Sequence, residues 1–300
     1  MVLALPGNEA LGAALARLTG AETGALLVRQ FPDGETLVQV GSDVNGAEVI
    51  IAATLHQPDR VMMPLYFLAS TLRELGAARI VLVAPYLAYM RQDKPFHTGE
   101  GTTARHFARW LSGFLDGLIT VDPHLHRIHD LGEVYTIPTL VVPAAPVISA
   151  WLRDNLPDSV LIGPDAESLQ WVSEVAMAAG CPFTVLEKTR RGDNDVSVTV
   201  PQIERWRQLT PVLMDDIIST GHTMAAAAEQ LQKEGMPAPV CIGVHAVFAG
   251  AAAALLQETG VSRLLTCNTI AHPSNGIDLY PALADAVKKM LAKLLVASCG

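Results

Sequence analysis

Short apolar runs alternate with amphipathic windows along nearly the whole chain. The apolar runs predict strands over Val2–Leu5, Ala25–Val28, Val49–Ala53, Ile80–Ala84 and Leu118–Val121. A second series follows over Val160–Gly163, Phe183–Leu186, Val212–Met214, Cys241–Ala246 and Arg263–Cys267. Helical spacing fills the gaps, over Glu9–Leu18, Val61–Leu75, Thr103–Phe114, Ala166–Ala179 and Thr223–Lys233. Strands that are apolar at consecutive positions are buried on both faces, which is the pattern of parallel sheet covered by helices. The chain therefore reads as α/β, with two tandem doubly wound parallel-sheet domains. The passage Ile137-Pro-Thr-Leu-Val-Val-Pro-Ala-Ala-Pro146 breaks both periodicities and marks the boundary, giving domains over residues 1–142 and 143–280. Pro281–Val296 reads as a long helix, with Lys288, Lys289 and Lys293 near the end where cations suit the dipole. The segment 281–300 is expected to pack back on the first domain.

Composition narrows the class. Half of the 300 residues are hydrophobic, enough for a sizeable core and too many for general disorder. Thirty acidic against 21 basic residues leave a net charge of −9, which argues against non-specific nucleic-acid binding. An anionic substrate must then be captured locally, against the overall field. Charged residues make up only 17%, so ion-pair-rich hyperthermophile chemistry is not expected. Cys181, Cys241, Cys267 and Cys299 are widely spaced without a CxxC, and read as reduced, buried thiols. Mean hydropathy is +0.30. The longest apolar stretches nevertheless stop at about ten residues, short of the roughly 20 a membrane span needs. The start, Met1-Val-Leu-Ala-Leu-Pro6, lacks the form of a signal peptide. A cytoplasmic protein with no membrane partner is the expectation.

The most informative segment is Pro211-Val-Leu-Met-Asp-Asp-Ile-Ile-Ser-Thr-Gly-His-Thr-Met224. An apolar strand runs into paired carboxylates, then a Ser/Thr/Gly turn, then an Ala-rich helix. Backbone N–H groups over Ser219, Thr220, Gly221, His222 and Thr223 can wrap a phosphate, with three hydroxyls adding donors. Asp215 and Asp216, at the strand end, are then placed for ribose hydroxyls or a Mg²⁺ beside them. The bland alternative is a capped turn, which explains neither the adjacent acids nor the whole turn. No Walker A loop occurs anywhere in the chain.

This segment resembles the phosphoribosyl-diphosphate (PRPP) motif of the type I phosphoribosyltransferase fold. Phe31-Pro-Asp-Gly-Glu35, Pro85-Tyr-Leu-Ala-Tyr-Met-Arg-Gln-Asp-Lys94, Val121-Asp-Pro-His124, Gly163-Pro-Asp165 and Glu187-Lys-Thr-Arg190 resemble, in the same order, the motifs of the ribose-phosphate diphosphokinase (PRPP synthetase) family. Lys-Thr-Arg and Ile-Ile-Ser-Thr-Gly look most like its archaeal-type class. The resemblance implies two phosphoribosyltransferase-like domains, an ATP side and a ribose 5-phosphate side, and transfer of the diphosphoryl group of Mg·ATP to the sugar. It implies ATP contacts from Phe31, Asp33, Gly34, Glu35, Arg91, Gln92, Lys94 and His124, and ribose 5-phosphate contacts from Arg190, Asp215, Asp216 and Ser219 to Thr223. Lys188 and Arg190 would be catalytic, and His124 and Asp165 would hold Mg²⁺. In the family the Phe31–Glu35 loop reaches an ATP bound mainly by the neighbouring chain, which implies a homo-oligomer of at least two subunits.

The residues can also be weighed singly. Arg91 and Lys94 suit triphosphate oxygens, and Gln92 can both donate to and accept from an adenine edge; alone, the tetrapeptide could be a solvated loop. Phe31 to Glu35 could equally be an ordinary hairpin, on a turn with no cation. The residues Glu187-Lys-Thr-Arg-Arg-Gly-Asp-Asn-Asp195 read alone as an exposed hairpin. Asp122-x-His124-x-His126 looks metal-binding and also suits a metal-dependent hydrolase. Gly99-Glu-Gly-Thr-Thr-Ala104 imitates a dinucleotide fingerprint, yet about 14 residues separate it from the preceding strand where a direct turn is required. The family pattern is broken at His222, where a small residue is common, at Glu167 and Ser168, and around Thr136 and Leu140, where some members carry further aspartates. These departures keep a second reading open, a catalytically silent synthetase-like regulatory subunit.

Overall fold

The computed structural model describes residues 1–125, 127–190, 196–199 and 203–297, with backbone alone at 167, 187–190, 196–199 and 297. The chain divides into two compact units, Met1–Val142 with Leu279–Gly300, and Pro143–Asp278.

In the first unit β1 (Val2–Ala4), α1 (Glu9–Thr19), β2 (Leu26–Gln30), β3 (Thr36–Val40), β4 (Glu48–Ala52) and α2 (Pro58–Glu74) come first. Then follow β5 (Arg79–Ala84), α3 (Thr103–Ser112), β6 (Gly117–Val121) and β7 (Thr139–Val142). One five-stranded, wholly parallel sheet has the order β1-β4-β5-β6-β7. Alternate strand positions point to opposite faces. Val49, Ile51, Ile80, Leu82 and Leu118 share one core with Leu65, Leu68 and Leu72 of α2 and Phe107 and Leu111 of α3. The other face presents Ile50, Val81 and Ile119, all buried, and receives α1. Strands β2 and β3 form a separate antiparallel hairpin that packs against α2.

The second unit runs α4 (Ala145–Asn155), β8 (Ser159–Gly163), α5 (Leu169–Ala179), β9 (Phe183–Val185), β10 (Glu187–Arg190) and β11 (Val196–Thr199). It continues with β12 (Thr210–Ile218), α6 (His222–Lys233), β13 (Val240–Ala246), α7 (Ala252–Glu258), β14 (Arg263–Cys267) and β15 (Asn275–Ile277). Its six-stranded parallel sheet has the order β15-β14-β13-β12-β8-β9. Val160, Ile162, Leu213 and Cys241 pack with Met224, Ala227, Ala228 and Leu231 of α6 and Leu256 of α7. From β8 the chain moves outward to β9, then returns to build β12, β13, β14 and β15 on the other side. The strand order therefore reverses between β8 and β12, where doubly wound sheets open a ligand crevice.

The last helix, α8 (Tyr280–Ala297), belongs to the first unit and packs on α1, β6 and β7. It buries Leu283, Val287 and Met290, each contributing about 1.5–3 kcal/mol. Among the described residues no helix is long and apolar enough to cross a membrane.

The α/β class with parallel sheets is as expected, and the departures have local causes. In the proline-rich passage, Pro138 and Pro143 bracket the edge strand β7 instead of breaking it, and Pro146 sits in the first turn of α4. The strands β3, β7 and β15 and the helices α4 and α7 are not among the predicted elements; α4 begins inside the proline-rich passage that reads as the domain boundary. The helix expected from Ala166 begins instead with a 3₁₀ turn, Ala166–Ser168, before α5. Cys241 and Cys267 are buried thiols, whereas Cys181 is only half-buried, contrary to expectation; Cys299 lies outside the described residues.

Candidate functional site

In the second unit the candidate residues gather around the switch point. Strand β12 pairs with β8 only as far as Leu213↔Ile162, but with β13 as far as Ile218↔Ala246. Asp215 and Asp216 therefore lie within β12, not at its end, on a stretch whose β8-side edge has left the ladder. The sequence reading stopped the strand at the first charge, but β13 holds its backbone in place regardless of the side chains. Asp216 N–H donates to Asp215 Oδ1 at 2.9 Å. Burial first, then the charge of Asp216 and a further push from Asp165, raise the Asp215 carboxyl to about 8.

Beyond β12 the turn runs through Ser219 and Thr220 to Gly221, which caps α6 at φ 75°. This is left-handed backbone, where a side chain costs energy, and a Cβ would also sit 3.4 Å from the Ala252 carbonyl. Phe248 N–H and Ala249 N–H donate to the carbonyls of Ile218 (2.9 Å) and Ser219 (3.0 Å), pinning the turn to the loop after β13. His222 is the first residue of α6 and lies outside the positive-φ set, so the unusual backbone belongs to Gly221 alone. Thr220, His222 and Thr223 are exposed at the helix start, where N–H groups lack an intrahelical acceptor.

Asp165 follows β8, across the switch point from β12. Its Oδ1 accepts from Ser168 N–H at 3.1 Å, and Ser168 Oγ donates to its carbonyl at 2.6 Å. The turn folds back so tightly that a Cβ on Gly163 would run into Ser168 Oγ. Lys188 and Arg190 lie on β10, which pairs with β11 as its own antiparallel sheet. Their side chains are outside the described residues, as is Glu167's.

In the first unit two candidate loops leave neighbouring strands. Arg91, Gln92 and Lys94 lie in the loop after β5, and His124 in the loop after β6, which pairs with β5. Arg91, Gln92 and Lys94 are exposed, and Lys94 Nζ stands 5.4 Å from the centre of the Phe96 ring. The backbone here is unusual for non-glycine residues: Tyr89, Asp122 and His124 have φ of 64°, 29° and 55°. His126 lies outside the described residues.

Phe31, Asp33, Gly34 and Glu35 form the tip of the β2–β3 hairpin. Phe31 N–H donates to the Glu35 carbonyl at 2.7 Å, and Asp33 Oδ1 accepts from Glu35 N–H at 3.2 Å. The turn itself carries no cation, but the Arg29 guanidinium, on β2, lies 4.6 Å from the centre of the Phe31 ring. Arg29 and Phe31 are two positions apart, so the alternation of an extended segment puts both side chains on one face.

Several residues near the site carried no sequence signal of their own. Asp93 sits inside the quoted motif yet pairs with Arg127, 34 positions on. Phe248, at φ 37°, stacks on His272 with ring centres 4.4 Å apart. For Mg²⁺, the fit rests on oxygen donors: burial first, then the charges of Asp216 and Asp165, push Asp215 towards its neutral form, and a divalent cation held through Asp165 would relieve the last of these. Among the described residues no cluster of three or more His, Cys, Asp or Glu could hold a metal by itself. Mg²⁺ commonly takes only one or two carboxylates together with substrate phosphates.

Comparison with known proteins agrees with this organisation. Residues 1–114 match the family described as the N-terminal domain of ribose phosphate pyrophosphokinase, and residues 133–282 match the phosphoribosyl transferase domain. The ribose-phosphate pyrophosphokinase of Methanopyrus kandleri is 31% identical over 97% of this chain and 99% of its own length. That of Halobacterium salinarum is 34% identical over 96% of this chain and 100% of its own. The crystal structure of phosphoribosylpyrophosphate synthetase from Mycobacterium smegmatis has the same fold, with a TM-score of 0.86 at 23% identity, covering 98% of this chain and 99% of that one. The chain belongs to the ribose-phosphate pyrophosphokinase family.

Proposed function

We propose that this protein transfers the diphosphoryl group of Mg·ATP to the 1-hydroxyl of ribose 5-phosphate, giving PRPP and AMP. The sugar hydroxyl oxygen forms a bond to the β-phosphorus, the bond from that phosphorus to the α,β-bridging oxygen breaks, and AMP leaves while the hydroxyl proton is released. Displacement at phosphorus needs alignment and charge neutralisation, and no covalent intermediate with the protein.

The observation that carries this reading is the turn at Gly221. It opens α6 at the switch point, directly after two strand carboxylates. The Ser219–Thr223 turn would hold the 5-phosphate, with Asp215 and Asp216 on the ribose hydroxyls. Arg91, Gln92, Lys94 and His124 would bind ATP, completed by Phe31, Asp33, Gly34 and Glu35 from a second copy in a homo-oligomer. Asp33 and Gly34 shape that turn, which leaves Phe31 and Glu35 to meet the nucleotide. Lys188 and Arg190 would neutralise charge that develops on the transferred group. Asp165 and His124 would hold the Mg²⁺, which supplies further positive charge to the phosphates when bound. A cytoplasmic location fits this metabolic role.

Incubating the protein with ATP, ribose 5-phosphate and Mg²⁺ tests the reading. AMP and PRPP should accumulate in equal amounts. ADP with a singly phosphorylated product would indicate a simple kinase, and nucleotide binding without turnover would indicate the silent subunit.

A further inference from the structure

The Arg91–Gln92 pair is bracketed by two side chains that are tied to other segments of the first unit. On one side, Tyr89 holds φ at 64° while its hydroxyl donates to Asp59 Oδ1 at 2.6 Å and its ring packs 4.9 Å from that of Phe107. On the other side is Asp93. Its side chain is only 5% exposed, although both neighbours in the sequence are exposed. Asp93 Oδ1 and Oδ2 accept from Arg127 Nη1 at 3.2 and 3.4 Å, and Oδ2 also accepts from Arg127 N–H at 3.3 Å. A buried carboxylate must be paired to be tolerated, and this one is paired with both the backbone and the side chain of one residue. Arg127 lies three residues after His124, in the loop that leaves the neighbouring strand. The backbone between the two brackets is held as well, because Gln92 N–H donates to the Tyr89 carbonyl and Ala104 N–H to the Gln92 carbonyl.

We infer that Asp93 is a positioning residue: by gripping Arg127 it locks the Arg91–Gln92 loop to the His124 loop and sets the spacing of the groups that hold the nucleotide. This rests on the nucleotide-binding reading above. Backbone strain at Tyr89, Asp122 and His124 is consistent with loops held in conformations they would not adopt alone. Arg127 is half exposed, so the ion pair contributes little to overall stability. Its purpose is local geometry.

The test is ATP affinity, measured by calorimetry on the full-length protein without ribose 5-phosphate, for wild type, Asp93→Asn, Arg127→Ala and the double variant. Each single change should weaken ATP binding about tenfold, the scale of a hydrogen bond between charged groups. The double variant should be no weaker than the worse single, since both remove one lock. Ribose 5-phosphate affinity should stay at the wild-type value, and Arg127→Lys should recover part of the loss. Wild-type ATP affinity in the single variants, additive losses, or parallel losses of both ligands with a lowered melting temperature would each overturn the inference. A wild-type protein that binds ATP but forms no AMP would refute the proposed reaction while leaving this coupling intact.

Discussion

His124 and Asp122 close a three-residue turn at the end of β6. The His124 N–H donates to the Asp122 carbonyl at 2.9 Å, and both residues hold positive φ, 55° and 29°. Neither is glycine, so the turn stores backbone strain that the surrounding structure holds in place. His124→Ala and His124→Gly should both lose most PRPP formation, because each removes the imidazole. The glycine variant should be the more stable of the two by about 1 kcal/mol, since it sheds the φ penalty. Equal denaturation midpoints would mean that the backbone relaxes once the imidazole is gone.

Gly221 and His222 are neighbours with opposite requirements. Gly221→Ala places a Cβ at φ 75°, 3.4 Å from the Ala252 carbonyl, and should cost about 1–2 kcal/mol. His222→Gly puts glycine at the first position of a helix with ordinary backbone, and should cost about 0.5 kcal/mol. A stabilised His222→Gly protein would contradict the conformation seen at the start of α6. Urea midpoints at constant m-value decide both cases.

Lys188 lies on a hairpin that forms its own two-stranded sheet. If it neutralises transition-state charge, Lys188→Ala should lower kcat by roughly 10²–10⁴-fold with little change in KM. The melting temperature should hold, as β10 and β11 pair with each other rather than with the main sheet. Near-normal turnover in this variant would remove Lys188 from the mechanism.

His272 makes stability depend on pH. Its Nδ1 accepts from Ser274 N–H at 3.1 Å, its ring lies against Phe248, and burial lowers its pKa below the usual 6.5. The native state thus resists a proton that the unfolded chain accepts. As pH falls through about 6.5, the unfolded chain binds more protons and stability drops; above that value the contribution is fully retained. His272→Gln should flatten the acid side of a melting-temperature profile taken between about pH 5 and 7. An unchanged slope would show that other groups govern the acid limb.

Much of this protein was readable along the chain. The alternation of apolar runs and amphipathic windows predicts the central strands of both sheets and every long helix except α4, because parallel strands are buried on both faces and helices on one. The turn from Ser219 to Thr223 was legible for a related reason: a strand–turn–helix junction is one contiguous stretch, and its Ser, Thr and Gly mark it. Tertiary structure decided the rest. Strand pairing alone determines that the order reverses between β8 and β12, which puts Asp165 near Asp215 although 50 positions separate them. It also extends β12 through Asp215 and Asp216 and joins Asp93 to Arg127. Left-handed backbone at Tyr89, Asp122 and His124 has little local signature, since Asp and His tolerate it only somewhat better than other side chains. Packing and hydrogen bonds between distant segments impose it, and periodicity along the chain carries no record of which segments will meet.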